Sequence, residues 1–195
     1  MIKRTSKDDW QYLITFSLLA IVFIATDVLR IINKFDFAYI SGRLLLEPYR
    51  IISTHFIHAD LRHLLANAFG IVVVRYFFMQ LRLKSSSLFI VLLLLLIPIQ
   101  SFLQWVLDIY LINNPLSMLI GFSGLLYGVD AFILLSSIYG KNNFLHFDIG
   151  LSRNLQVRNA MSVLTGLGFI FSLFPRVSLS GHFTGFLAGL ILFLF

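Results

Sequence analysis

The 195-residue chain is long enough for one ordinary domain, but 58% of it is hydrophobic and only 12% charged, where soluble chains carry about 25% charged residues. A soluble globule of this size could not hide so much apolar side chain, so the bilayer is the natural solvent. The net charge of +6 sits in short clusters between apolar runs, with no basic stripe of interleaved aromatics, which argues against nucleic acid as a partner.

A spanning helix needs about 20 mostly apolar residues, and six segments are predicted. The first covers about 12–32. It is longer than a signal-peptide core and lacks a small-residue cleavage site, so it reads as an anchor that stays. Residues 33–58 follow as a polar, broken first loop, with Gly42 and Pro48 as breakers and Leu44-Leu45-Leu46 too short to span. The second span is placed at 60–79 and the third at 88–108, with Pro98 as a kink. The fourth, 122–139, opens after the turn-forming Asn113-Asn114-Pro115 and closes before Gly140. The fifth, 157–174, is stopped by Pro175. The sixth, 181–195, is short and is expected to begin below the membrane surface. No repeat or linker divides the chain, so residues 1–195 are expected to form one domain.

With the N-terminus inside, the cytoplasmic side collects Lys3, Arg4, Lys7, Arg75, Arg82, Lys84, Lys141, Arg153 and Arg158. The outer side holds Arg30, Lys34, Arg43, Arg50, Arg62 and Arg176. The positive-inside bias therefore favours a cytoplasmic N-terminus, with spans two, four and six starting on the outer side.

Polar groups inside a span cost a few kcal/mol unless partnered, and those at the outer ends of three spans converge. The fourth opens Gly121-Phe122-Ser123-Gly124. There Ser123 meets the unpaired amides and positive dipole end of a helix. Taken alone, such a serine is more often a helix cap beside small-residue packing. The sixth opens Gly181-His182-Phe183-Thr184-Gly185, with Gly189 one turn on. Its glycine face matches Gly124 and Gly128, which would bring His182 within hydrogen-bonding reach of Ser123; a lone membrane histidine is more often inter-helix glue. On the second span, His63 and Asn67 lie four apart on one face, and both can donate to an oxyanion. Isolated, they would be polar packing.

Three strings in this order, HxxxN on span two, GxSG opening span four and GHxxGxxxG opening span six, resemble the rhomboid protease signature. Glu47-Pro48-Tyr49-Arg50, His55 and His58 match further family positions, as does Tyr127, which corresponds to a tyrosine packed on the catalytic histidine. The resemblance implies an all-α membrane protein, a six-transmembrane-helix rhomboid-like bundle with a large first loop. It implies an intramembrane serine endopeptidase in which Ser123 is nucleophile and His182 general base and then acid. His63, Asn67 and the Ser123 amide form the implied oxyanion hole, with Tyr127, Gly121, Gly124 and Gly185 in support. The implied partners are transmembrane protein substrates and the lipid bilayer, with no metal and no cofactor. The implied setting is a multi-pass protein of the bacterial inner membrane.

Competing chemistries lack their residues. An aspartyl protease needs two carboxylates sharing a proton, and Val129 stands before Asp130 where GxGD requires glycine. A metalloprotease needs HExxH or similar, and none of the five histidines is followed by Glu. A transporter would show internal repeats or paired broken helices. The rival of a different class is a catalytically inactive rhomboid-like protein that binds transmembrane clients for trafficking. Asp130, two turns below Ser123, lies too deep to orient His182 and is expected to be a structural hydrogen-bonding or neutral acid. Asp27 is likewise expected to be structural.

Overall fold

The computed structural model describes residues 9–175 and 177–195. Lys3, Arg4, Lys7 and Arg176, used above for orientation, lie outside the described residues. Among those described, seven α-helices occur. They are α1 (Trp10–Phe23), the short α2 (Arg50–Ser53), α3 (Leu61–Gln80), α4 (Leu88–Val106), α5 (Ser123–Tyr139), α6 (Leu155–Phe171) and α7 (Leu179–Phe193). Two continue as π-turns, α1 through Ile24–Val28 and α4 through Leu107–Leu111. With those extensions α1 and α4, together with α3, are long and apolar enough to cross a membrane, while α5 and α7 are shorter apolar helices.

The helix ends depart from the expected boundaries where local chemistry intervenes. The first helix stops at Val28 rather than at residue 32. Thr26 bonds back to the Val22 carbonyl at 3.0 Å, and Arg30 takes a left-handed φ of 53° that breaks the ladder. The sixth helix begins two residues early because Ser178 caps it, accepting from the Gly181 amide at 3.0 Å. The fifth begins at Leu155, capped by Asn154, and ends at Phe171, short of the expected 174. Residues 33–60 hold only short helical turns and one strand, and Leu45 and Leu46 are exposed.

Two small antiparallel pairings were not legible as strands. β1 (Tyr39–Ile40) pairs antiparallel with β2 (Met118–Leu119), tying the segment after α1 to the one before α5. β3 (Lys141–Phe144) pairs with β4 (Phe147–Leu151) through Leu145 and His146, both at positive φ. That is the backbone sense of a tight hairpin turn, usually filled by Asn or Gly, so the sequence carried no turn signal.

α5 is the hub, packed against α3, α4, α6 and α7. Leu125, Val129, Phe132 and Ile133 on it are fully buried, while Leu13 and Ile21 of α1, Phe69 of α3 and Leu167 of α6 face outward. Its seam with α7 is the closest in the molecule. A Cβ on Gly185 would overlap the Gly124 carbonyl, and one on Gly189 the Gly128 carbonyl. A Cβ on Gly128 would in turn lie 2.9 Å from the Gly185 carbonyl oxygen. Backbone therefore meets backbone, as the glycine pattern predicts.

Gly189→Ala would improve helix propensity by up to about 1 kcal/mol. The new methyl meets backbone that cannot rotate away, and overpacking of that kind costs about 1–3 kcal/mol. The variant is expected to melt at a lower temperature in detergent than the unaltered protein. An equal or higher midpoint would mean that the two helices separate at little cost.

Candidate active site

The segment before α5 is held by a clamp around Ile120. The Thr54 hydroxyl donates to the Leu119 carbonyl at 2.6 Å, and the Gly121 amide donates to the Thr54 carbonyl at 3.0 Å. Gly121 then turns with φ 116°, a conformation that L side chains rarely adopt, and a Cβ there would run into the His63 ring. This position requires glycine on both counts. The turn delivers Ser123 as the first residue of α5, where its amide precedes the helical ladder.

α7 presents His182 in its first turn, and the ring is held from three sides. Nε2 lies 2.8 Å from Ser123 Oγ, and Nδ1 lies 2.6 Å from Ser172 Oγ at the end of α6. The Tyr127 ring stacks on the imidazole at 4.2 Å between centroids and 11° between planes. Tyr127 is itself fixed by an edge contact with Phe169 at 5.2 Å, and its hydroxyl occupies the notch left by Gly168. The expected group of Ser123, His182, Tyr127, Gly124 and Gly185 is thus assembled around one seam.

Of the α3 residues, His63 stands beside it. Asp60 caps α3 by accepting from the His63 amide at 2.8 Å, and the His63 ring meets His58 edge-on at 5.1 Å. Its Nε2 borders Gly121. Asn67 is buried, and its side-chain nitrogen has no hydrogen-bond partner among the described residues. No hydrogen bond joins Asn67 or His63 to Ser123 among those residues. A buried amide without an acceptor costs on the order of 1–3 kcal/mol, a cost that Asn67 Nδ2 carries where it stands.

A cavity of ≈ 30 Å³ adjoins the pair, lined in part by Thr54, His55, Gln100, Gln104, Ser123 and His182. That volume suffices for a water molecule. The glutamines were missed in the sequence reading, although Gln100, Gln104 and Asp108 recur every four residues along α4. Gln100 donates to the Gly181 carbonyl at 3.2 Å, and Thr184 donates to Gln104 Oε1 at 2.9 Å. Gln104 also donates to Asp108 at 3.0 Å. The stripe anchors the start of α7, and so the height of His182. Ser172 was missed too, because nothing in Phe171-Ser172-Leu173 marks it.

Asp130 makes no hydrogen bond or ion pair among the described residues, so of the two expectations the bond to a neighbouring helix is not formed, which leaves the neutral acid. Asp27 pairs with Lys34 at 2.5 Å, and Lys34 also donates to the Ala59 carbonyl at 2.7 Å, which fits the expected structural role. Arg50 pairs with Glu47 and donates to the Ala38 carbonyl at 2.5 Å. This pair holds the Glu47 carboxyl below its ordinary range.

The rhomboid domain family matches residues 46–195, well over half of the chain. The chain belongs to the rhomboid family. Its members are intramembrane serine proteases and inactive relatives, and with its long apolar helices this rhomboid is an integral membrane protein. No curated protein matches the chain. The family match begins after α1, so the first helix and residues up to 45 stand outside it.

Two loop histidines set a pH dependence. Burial pushes both His55 and His58 down to about 4 from an ordinary 6.5. The folded protein therefore binds fewer protons than the unfolded chain between those values, and stability falls as pH drops through that window. The melting midpoint in detergent is expected to be level above pH 7 and to decline from about 6.5 towards 4. Replacing His55 and His58 by Asn should flatten the upper part of that decline; a decline of unchanged size in the double variant would assign it to other groups.

Proposed function

We propose that this rhomboid is an intramembrane serine endopeptidase that cleaves transmembrane client proteins in or near their membrane segment. The observation that carries the reading is the 2.8 Å contact between His182 Nε2 and Ser123 Oγ, made by a ring backed by Tyr127. A hydroxyl is a weak nucleophile until a base within about 2.6–3.2 Å can take its proton. His182 takes the Ser123 proton as Oγ attacks the client carbonyl carbon. The oxyanion is stabilised by the Ser123 amide, His63 and Asn67, which suits an amide nitrogen with no partner among the described residues. His182 then returns the proton to the leaving amine. Water arriving through the polar cavity hydrolyses the acyl-enzyme, with His182 again as base. The chemistry needs no metal or cofactor.

In this reading residues 1–195 form one domain of six spans, α1, α3, α4, α5, α6 and α7, with residues 33–60 as the large first loop. The N-terminus is cytoplasmic, in a bacterial inner membrane. α5 and α7, of 17 and 15 residues, are only about 26 and 22 Å long at 1.5 Å per residue. A hydrocarbon core is about 30 Å thick, so their outer ends, with Ser123 and His182, sit below the surface. α6 is the wall a client passes. Gly166 on it has open space around it.

Fluorophosphonate labelling of the purified protein tests nucleophile activation without knowledge of a client. Labelling is expected in the unaltered protein and lost in Ser123→Ala and His182→Ala, both remaining folded. Absence of labelling in a well-folded protein across several detergents and lipids would instead favour an inactive, client-binding rhomboid. Separately, Asn67→Ala is expected to lower client turnover by about 10- to 1000-fold, by the measure of other oxyanion-hole deletions. Unchanged kinetics would remove Asn67 from the oxyanion hole.

A further inference from the structure

The geometry points to Ser172 as the positioning residue that fixes which nitrogen of His182 carries the proton, an inference that rests on the dyad reading above. Ser172 is buried at the end of α6, and its Oγ has two close partners, with the Tyr127 hydroxyl farther off at 3.5 Å. One is the Gly168 carbonyl oxygen at 2.7 Å, the other His182 Nδ1 at 2.6 Å. A hydroxyl has one hydrogen to donate and a carbonyl oxygen can only accept. Two oxygens 2.7 Å apart need a hydrogen between them, so the Ser172 proton points at Gly168. The remaining contact is then possible only if Nδ1 carries the hydrogen and donates to Ser172 Oγ.

The consequence reaches Ser123. With Nδ1 protonated, neutral His182 has its lone pair on Nε2, facing Ser123 Oγ at 2.8 Å. One directed chain results: Ser123 O–H donates to Nε2, Nδ1–H donates to Ser172 Oγ, and Ser172 O–H donates to the Gly168 carbonyl. In the opposite tautomer Nε2 would hold a proton against the serine it must deprotonate, and the base would be unavailable. Triads use a buried carboxylate to hold this tautomer. Here a neutral hydroxyl, polarised by a helix carbonyl, does so without placing a charge in the bilayer, where charges are expensive. Because Ser172 sits on α6 and His182 on α7, the base is set only while the two helices are together at this end.

Two measurements test the assignment. In protein labelled with 15N-histidine in detergent micelles, with His182 assigned by its loss in His182→Ala, neutral His182 should show a protonated Nδ1 and an unprotonated Nε2. In Ser172→Ala the proton should redistribute between the two nitrogens. The maximal rate of fluorophosphonate labelling should fall about 10- to 100-fold at an unchanged half-saturating probe concentration, a smaller loss than tautomer reversal causes in carboxylate triads. Ser172→Thr should restore most of it. A proton on Nε2 in the unaltered protein, or wild-type labelling by Ser172→Ala, overturns the assignment. Should Ser172→Ala fail to fold, the spectrum of the unaltered protein decides alone. Failure of the unaltered protein to label would count against the dyad reading, while the spectrum would still report the tautomer.

Discussion

The arrangement at the outer end of the molecule depends on how closely α5 and α7 approach. Gly124 and Gly128 on one helix face Gly185 and Gly189 on the other, with no room for a Cβ between backbone and carbonyl. In lipid there is little hydrophobic drive to bring helices together, so association relies on van der Waals packing and polar contacts. Removing side chains from the seam lets two backbones pack directly and fixes the separation of the helix starts. Ser123 and His182 occupy those starts, and a hydrogen bond tolerates only a few tenths of an ångström. The seam sets the distance; the hydrogen bond reads it.

The polar groups around the seam are organised in layers. The α4 stripe of Gln100, Gln104 and Asp108 fixes the start of α7 through Gly181 and Thr184. Thr54 fixes the segment leading into α5 through Leu119 and Gly121. Thr54, Gln104 and Thr184 each satisfy a group that lipid would leave orphaned, whereas Gln100 Oε1 has no partner among the described residues. Asn67 is likewise buried with an amide nitrogen that has no acceptor among the described residues. Each unsatisfied buried group calls for an explanation, and for Asn67 the proposed oxyanion role supplies one.

Much of this was legible from residue types and spacing. Apolar runs located the long helices to within a few residues, because a spanning stretch has a length imposed by the bilayer. Ends were less legible, since they hang on single contacts such as Asn154 capping α6 or Arg30 at positive φ ending α1. The β3–β4 turn through Leu145 and His146 carries no turn signature. Hydrogen bonds from elsewhere in the chain, such as that from the Lys84 amide to the Ile149 carbonyl at 2.9 Å, fasten that hairpin.

By itself the sequence determined the class of solvent, the helices and the pairing of Ser123 with His182, because hydropathy and glycine spacing are local properties read along one strand of text. Tyr127 was marked only by the resemblance to the rhomboid signature, and Gly121 as a small residue beside Ser123 that leaves room for another backbone. Only the tertiary structure decided what stands on the far side of the histidine. Ser172 lies ten residues from His182 on another helix, in an apolar stretch with no motif, and reaches Nδ1 through the packing of α6 against α5. Likewise Asp130, prominent in the sequence, gained no partner among the described residues, whereas the unremarked Gln104 gained three. Side-chain partners across helices depend on rotation and register, and those are fixed by packing, not by spacing along the chain.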